Sequence, residues 1–266
     1  MALQESDQPP LQRPRRRAIY LLPNLLTTGC LFSGFYAIVA AIDGNFDHAG
    51  MAVFVAMLFD GLDGRVARLT HTESAFGKEF DSLADMVAFG VAPAIVSYQW
   101  GVARITEYGG VWGRIGWLAA FFYAVTAALR LARFNARVST SDKRYFEGLP
   151  SPSAAALVSG FIWAFNVWRE PGLIGLIIAF TVTALAGALM VSGFSYPSFK
   201  NIDLTRPVRF VSLVVAVVVV FVVIAGDPSR ALPLCFGIYA LVPPLVWVWR
   251  RLRRWRRGDA PSGNRS

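Results

Sequence analysis

The sequence predicts an all-α, polytopic integral membrane helical bundle of about eight spans, on three observations. Of the 266 residues, 55% are hydrophobic and only 16% charged. Apolar runs long enough to cross a bilayer occupy most of the chain, at 19–42, 48–69, 79–100, 112–134, 151–169, 171–191, 208–225 and 231–249. The connections between them alternate in charge, with arginine and lysine gathered in every second one, as the positive-inside rule requires.

The segments follow in order. Residues 1–18 are polar and then basic, ending in Arg13, Arg15, Arg16 and Arg17. The apolar run behind them lacks a small-residue cleavage site and reads as a retained first span. Spans two to four carry charges near their ends, whereas the seventh is rich in valine. Arg65, Arg68 and Lys78, then Arg133, Arg137, Lys143 and Arg144, then Lys200, Arg206 and Arg209 share one side with both termini. Asp43, Asp47, Glu170 and Asp227 fall on the other. Both termini are therefore expected in the cytoplasm, with one membrane domain, 19–249, between the basic segments 1–18 and 250–266.

The mean hydropathy of +0.47 excludes an ordinary soluble domain. The net charge of +9 is concentrated in the tail, at Arg250, Arg251, Arg253, Arg254, Arg256 and Arg257, immediately after an apolar span. Basic residues there anchor a span against anionic lipid, so no nucleic-acid partner is expected. Cys30 and Cys235 lie inside apolar runs and imply neither a disulfide nor a zinc site. His48 and His71 lack metal-ligand spacing.

The chemistry sits between residues 60 and 85. Asp60, Asp63, Gly64 and Ala67 fall at helical spacing on one face of the second span, and Asp81 and Asp85 stand one turn apart on the third. A carboxylate within a span costs kilocalories and is retained for a partner, water or an ion. The second span runs toward the basic side and the third runs back, so both pairs reach one depth near the inner interface. Four convergent carboxylates repel one another, and hard divalent cations, Mg²⁺ or Mn²⁺, are the oxygen-loving solution. Two such ions can clamp a diphosphate. Gly61, Gly64, Ala67 and Gly77 strip bulk from the adjoining faces, so a nucleotide can approach the helix backbone.

The pattern Asp60-x-x-Asp63-Gly64-x-x-Ala67-Arg68, followed after residues 69–76 by Gly77-x-x-x-Asp81-x-x-x-Asp85, resembles the signature of the CDP-alcohol phosphatidyltransferase family at every defining position. Leu22-Pro23-Asn24-Leu25-Leu26-Thr27, the run Asp81 to Pro93, Ala128 to Asn135 and Phe146-Glu147-Gly148-Leu149-Pro150 look like its phosphatidylserine synthase branch. The resemblance covers about the first 160 residues and implies a six-helix catalytic core, usually in a homodimer. It also implies that Asp60, Asp63, Asp81 and Asp85 hold two Mg²⁺ or Mn²⁺ ions, with Asp85 as general base. Gly64, Ala67, Arg68 and Gly77 would line the cytidine diphosphate site. The implied reaction joins the hydroxyl of L-serine to the β-phosphorus of CDP-diacylglycerol and releases CMP. Serine carries a carboxylate, and Arg130 and Arg133 are the candidates to bind it or the donor phosphate, with Asn24 and Asn135 behind them.

Two rivals stand beside this reading. A sister transferase with glycerol 3-phosphate or an inositol phosphate as acceptor would keep the metal chemistry and change the acceptor pocket. An ion-coupled transporter would also retain intramembrane carboxylates, but it predicts an inverted pair of broken helices, which the sequence lacks.

Overall fold

The computed structural model describes residues 15–72, 74–103, 110–137, 145–166, 172–197 and 225–256. Among them run seven helices of 15 residues or more: α1 (Arg15–Ile42), α2 (Phe46–Leu69), α3 (Ala75–Trp100), α4 (Gly110–Arg137), α5 (Ser151–Phe165), α6 (Leu173–Val191) and α7 (Pro228–Arg256). Each coincides with one of the apolar segments expected from hydropathy. The remaining segment, 208–225, lies outside the described residues but for its last, as do residues 1–14 and 257–266 of the basic ends.

Helices α1, α3, α4, α6 and α7 are long and apolar enough to cross a membrane. Helix α2 has the length, but its aspartates and arginines dilute its hydropathy. Helix α5, with 15 residues, spans about 22 Å, short of a bilayer core of about 30 Å. It is instead the centre of the bundle: Ala154, Ala155, Ala156, Val158 and Ile162 are buried against neighbouring helices. The outer faces show Phe32, Phe35, Trp117, Phe121, Ile174 and Leu241 to the surroundings, apolar surface of the kind that faces a bilayer. The chain is thus a multi-pass, all-α membrane protein.

Close backbone approach sets the α1–α3 crossing. A Cβ on Gly34 would fall 2.6 Å from Ala88 Cα, so only glycine lets the two helices meet there.

Proline shapes the third and seventh helices by one device. In a regular helix the carbonyl of Phe89 would accept from residue 93, but Pro93 has no N–H. The turn Met86–Val91 widens to π geometry, and the Tyr123 hydroxyl of α4 donates to the Phe89 carbonyl at 3.0 Å. In α7, Pro244 likewise leaves the Ala240 carbonyl without its helical donor, and the buried Tyr196 hydroxyl supplies one at 2.9 Å.

Helix α3 starts at Ala75, four residues before the expected 79, because Ser74 caps it by accepting from the Gly77 N–H at 3.0 Å. Among the described residues, the one departure from an all-helical description is a pair of three-residue strands, β1 (Tyr145–Glu147) and β2 (Ser195–Pro197), antiparallel with Phe146 opposite Tyr196. They tie the chain entering α5 to the chain leaving α6. Gly148 follows at φ +81, and its N–H donates to Phe194 O at 2.8 Å. A side chain there would place Cβ 2.2 Å from Met190 O. At the polar end, side-chain hydrogen bonds join α4 to α5 through Arg130 and Ser151, α4 to α3 through Asn135 and Ser82, and α1 to α2 through Thr27 and Asp63.

Candidate active site

Helix α2 contributes Asp60 and Asp63, one turn apart. Asp63 is buried, and the buried Thr27 hydroxyl of α1 donates to its Oδ2 at 2.7 Å. Helix α3 contributes Asp81 from the facing side. Carboxylate oxygens of Asp60, Asp63 and Asp81 all lie within 4.8 Å of one another. Asp85, one turn further along α3, has a buried Oδ1 with no hydrogen-bond partner among the described residues. The charges of Asp60, Asp81 and Asp63 act on it, opposed by Arg130 of α4. The charges of all four carboxylates act on the buried Cys30 thiol of α1.

Magnitudes show what this arrangement requires. Two like charges 4.8 Å apart repel by about 3–4 kcal/mol at an effective dielectric constant of about 20. The Thr27 hydrogen bond to a charged group returns about 1.5–3 kcal/mol once. Among the described residues Arg130 lends positive charge to Asp85, and a cation among the three convergent carboxylates would relieve their repulsion. The donor set is all carboxylate oxygen, and one buried oxygen is orphaned, so hard divalent cations fit these residues. Asp60, Asp63 and Asp81 present the convergent oxygens, and Asp85 keeps a buried oxygen without a partner among the described residues.

The surface beside the acids is open where the sequence removes side chains. A Cβ on Gly61 or Gly64 would meet nothing within 4 Å. Arg68 is exposed and folds back along α2, its Nε donating to the Gly64 carbonyl at 2.9 Å. Ala67 is half-buried on the same stretch. Gly77 has a different reason to be glycine: a Cβ would crowd the capping Ser74 Oγ at 3.0 Å and Asn24 Oδ1 at 3.4 Å. Asn24 thus stands at the start of α3, one turn before Thr27 on α1.

The basic residues divide. Arg130 is half-buried, donates from Nη1 to Ser151 Oγ at 2.8 Å, and faces Asp85 electrostatically. Arg133, one turn on, is ion-paired with Glu147 of β1. Asn135 donates to Ser82 Oγ at 2.9 Å and so ties α4 to the turn of α3 between Asp81 and Asp85. The structure brings Asp60, Asp63 and Asp81 together, sets Asp85 one turn along α3 with its charge acting on Arg130, and leaves Arg133 on a separate partner. Sequence reasoning passed over Thr27 and Ser151. A threonine in an apolar helix ordinarily bonds back to its own helix, as Thr27 also does to Pro23 O at 3.1 Å, so nothing local marks it.

Residues 20–192 match the family model described as CDP-alcohol phosphatidyltransferase. The chain is 39% identical over 233 residues to the CDP-diacylglycerol–serine O-phosphatidyltransferase of Helicobacter pylori strain J99, covering 87% of this chain and 92% of the relative. It is 32% identical over 250 residues to the protein of that name from Mycobacterium tuberculosis strain H37Rv, covering 89% and 77% respectively. A third relative with that name, from Methanocaldococcus jannaschii, is 34% identical over 192 residues, 71% of this chain and 81% of its own.

Proposed function

Because this chain belongs to the CDP-alcohol phosphatidyltransferase family, we propose that it transfers the phosphatidyl group of CDP-diacylglycerol to the hydroxyl of L-serine, forming phosphatidylserine and CMP. The observation that carries the chemistry is the convergence of Asp60, Asp63 and Asp81 from two neighbouring helices, with the orphaned Asp85 oxygen beside them. The family match carries the donor, and the relatives' names carry the acceptor.

In this reading Asp60, Asp63, Asp81 and Asp85 hold Mg²⁺ or Mn²⁺, two ions per site. Bound there, the cations supply positive charge to the diphosphate and to the phosphate that departs with CMP. The open helix surface at Gly61 and Gly64 admits the nucleotide, with Ala67, Arg68 and Gly77 along the same edge. The serine oxygen forms a bond to the β-phosphorus, and the bond from that phosphorus to the bridging oxygen breaks. CMP carries away the bridging oxygen. Asp85 takes the hydroxyl proton through the oxygen that lacks a partner. Arg130, beside Asp85, receives the serine carboxylate.

The acyl chains stay in lipid while the head group enters between α2 and α3. The polar end, with Arg65, Arg68, Lys78, Arg133 and the C-terminal arginines of α7, faces the cytoplasm from the inner membrane. The domain 19–249 works as a homodimer.

The test is acceptor-dependent CMP release by purified protein in CDP-diacylglycerol vesicles. L-Serine with Mn²⁺ or Mg²⁺ should support release, and chelation should stop it. Release with glycerol 3-phosphate or an inositol phosphate, and none with L-serine, overturns the acceptor. Ion flux without CMP release overturns the whole reading.

A further inference from the structure

Arg130 and Arg133 stand one turn apart on α4, and the same short segment of chain, 147–151, meets both. It meets them differently. Glu147 gives Arg133 a full opposite charge. Ser151 gives Arg130 only a neutral hydroxyl, at 2.8 Å. Arg130 therefore keeps its charge uncancelled by the partner that orients it. The carboxylate acting on it is Asp85, yet among the described residues no direct ion pair joins the two.

The guanidinium thus has a hydroxyl as its hydrogen-bond partner, and Asp85, whose charge acts on it, keeps a buried oxygen without a partner among the described residues. Such a pair complements a small molecule that bears an anion at one end and a proton-donating group at the other. A hydroxy-amino acid has that pattern: its carboxylate suits Arg130, and its hydroxyl suits Asp85 Oδ1.

Ser151 is built to be immobile. It is 1% exposed, at the first turn of α5. The chain before it is pinned through Gly148 N–H to Phe194 O at 2.8 Å and Leu149 N–H to Leu189 O at 2.9 Å. A fixed acceptor removes rotamer freedom from a long arginine before the ligand arrives, which lowers the entropy cost of binding.

We propose that Ser151 is a positioning residue that sets acceptor specificity: its hydroxyl aims the Arg130 guanidinium at the carboxylate of the acceptor, so the site selects a hydroxy-amino acid over an amino alcohol lacking that group. This rests on the assignment of serine as the acceptor. An amino alcohol would leave Arg130 without its anion in a partly buried site, and sites built around a polar partner discriminate strongly against ligands that lack it.

Steady-state CMP release tests the proposal. Ser151→Ala should raise KM for L-serine roughly tenfold, with kcat within about threefold and KM for CDP-diacylglycerol unchanged. The ratio of kcat/KM for L-serine to that for ethanolamine should fall by the same factor. Ser151→Thr, which keeps the hydroxyl, should restore both. Equal losses for serine and ethanolamine, or a rise in KM for the donor instead, would overturn the role of Ser151. Wild-type protein supplies a control independent of folding: L-serine methyl ester, with its carboxylate masked, should be used at least tenfold less well than L-serine, and equal use would overturn the carboxylate contact. A wild-type enzyme that ignores L-serine altogether sinks the acceptor reading itself, whereas good serine turnover with an unaffected Ser151→Ala sinks only this inference.

Discussion

The two sides of the polar end are built on opposite principles. On the α2–α3 side, carboxylates of Asp60, Asp63 and Asp81 crowd within 4.8 Å, and glycines open the adjoining surface. On the α4–α5 side, polar groups have hydrogen-bond partners: Arg133 with Glu147, Arg130 with the neutral Ser151 hydroxyl, Gly148 N–H with Phe194 O. The difference teaches which side carries the reaction. Like charges assembled against their mutual repulsion persist because a ligand relieves them, while a stitched seam serves as the fixed wall against which a substrate is oriented.

The largest break in that contrast comes from Asp85→Asn, which removes the proton acceptor with little change in size. CMP release should fall by about 10³-fold. Metal-free protein should at the same time melt no lower than wild type, because one like charge has gone from the cluster. Calorimetry or fluorescence melting in detergent checks the second outcome. A clear loss of stability would mean the aspartates hold the helices together, contrary to the account.

On the matched side the expected loss is of stability. Gly148→Ala forces a Cβ into a residue at φ +81 and to 2.2 Å from Met190 O. It should cost about 2–4 kcal/mol, seen as a lower melting temperature with and without Mn²⁺. A smaller effect belongs to Thr27→Val, which keeps shape and removes the hydrogen bond to Asp63. Mn²⁺ affinity, read by paramagnetic resonance, should weaken about tenfold, as is usual when the partner of a ligand is lost. Smallest of all is Arg133→Gln. Its ion pair with Glu147 is 39% and 52% exposed, so stability should change by about 0–1 kcal/mol and the KM for L-serine by less than about threefold. A tenfold rise in that KM would erase the distinction between the two arginines.

The two sides are also unequally legible in the sequence. Carboxylates in apolar spans stand out, and helical spacing by itself puts 60 with 63 and 81 with 85 on shared faces. The helices are legible for the same reason, since seven expected segments are helices within a few residues at most ends. The matched side is not. Ser151 reaches Arg130 across 21 positions, through a fold of chain that no periodicity encodes. Strands of three residues are too short to show alternation, so β1 and β2 could not be read. The π turn after Asp85 depends on Pro93 meeting a tyrosine from another helix, a tertiary event with no local signature.

The central claim is that the acidic side holds divalent cations. Titrating Mn²⁺ into purified protein, with paramagnetic resonance reporting free ion, measures this directly. Wild-type protein in the presence of CDP should bind about two ions per chain, and Asp81→Asn should lose at least one of them. Unaltered Mn²⁺ binding by that variant, or none by the wild type, contradicts the account.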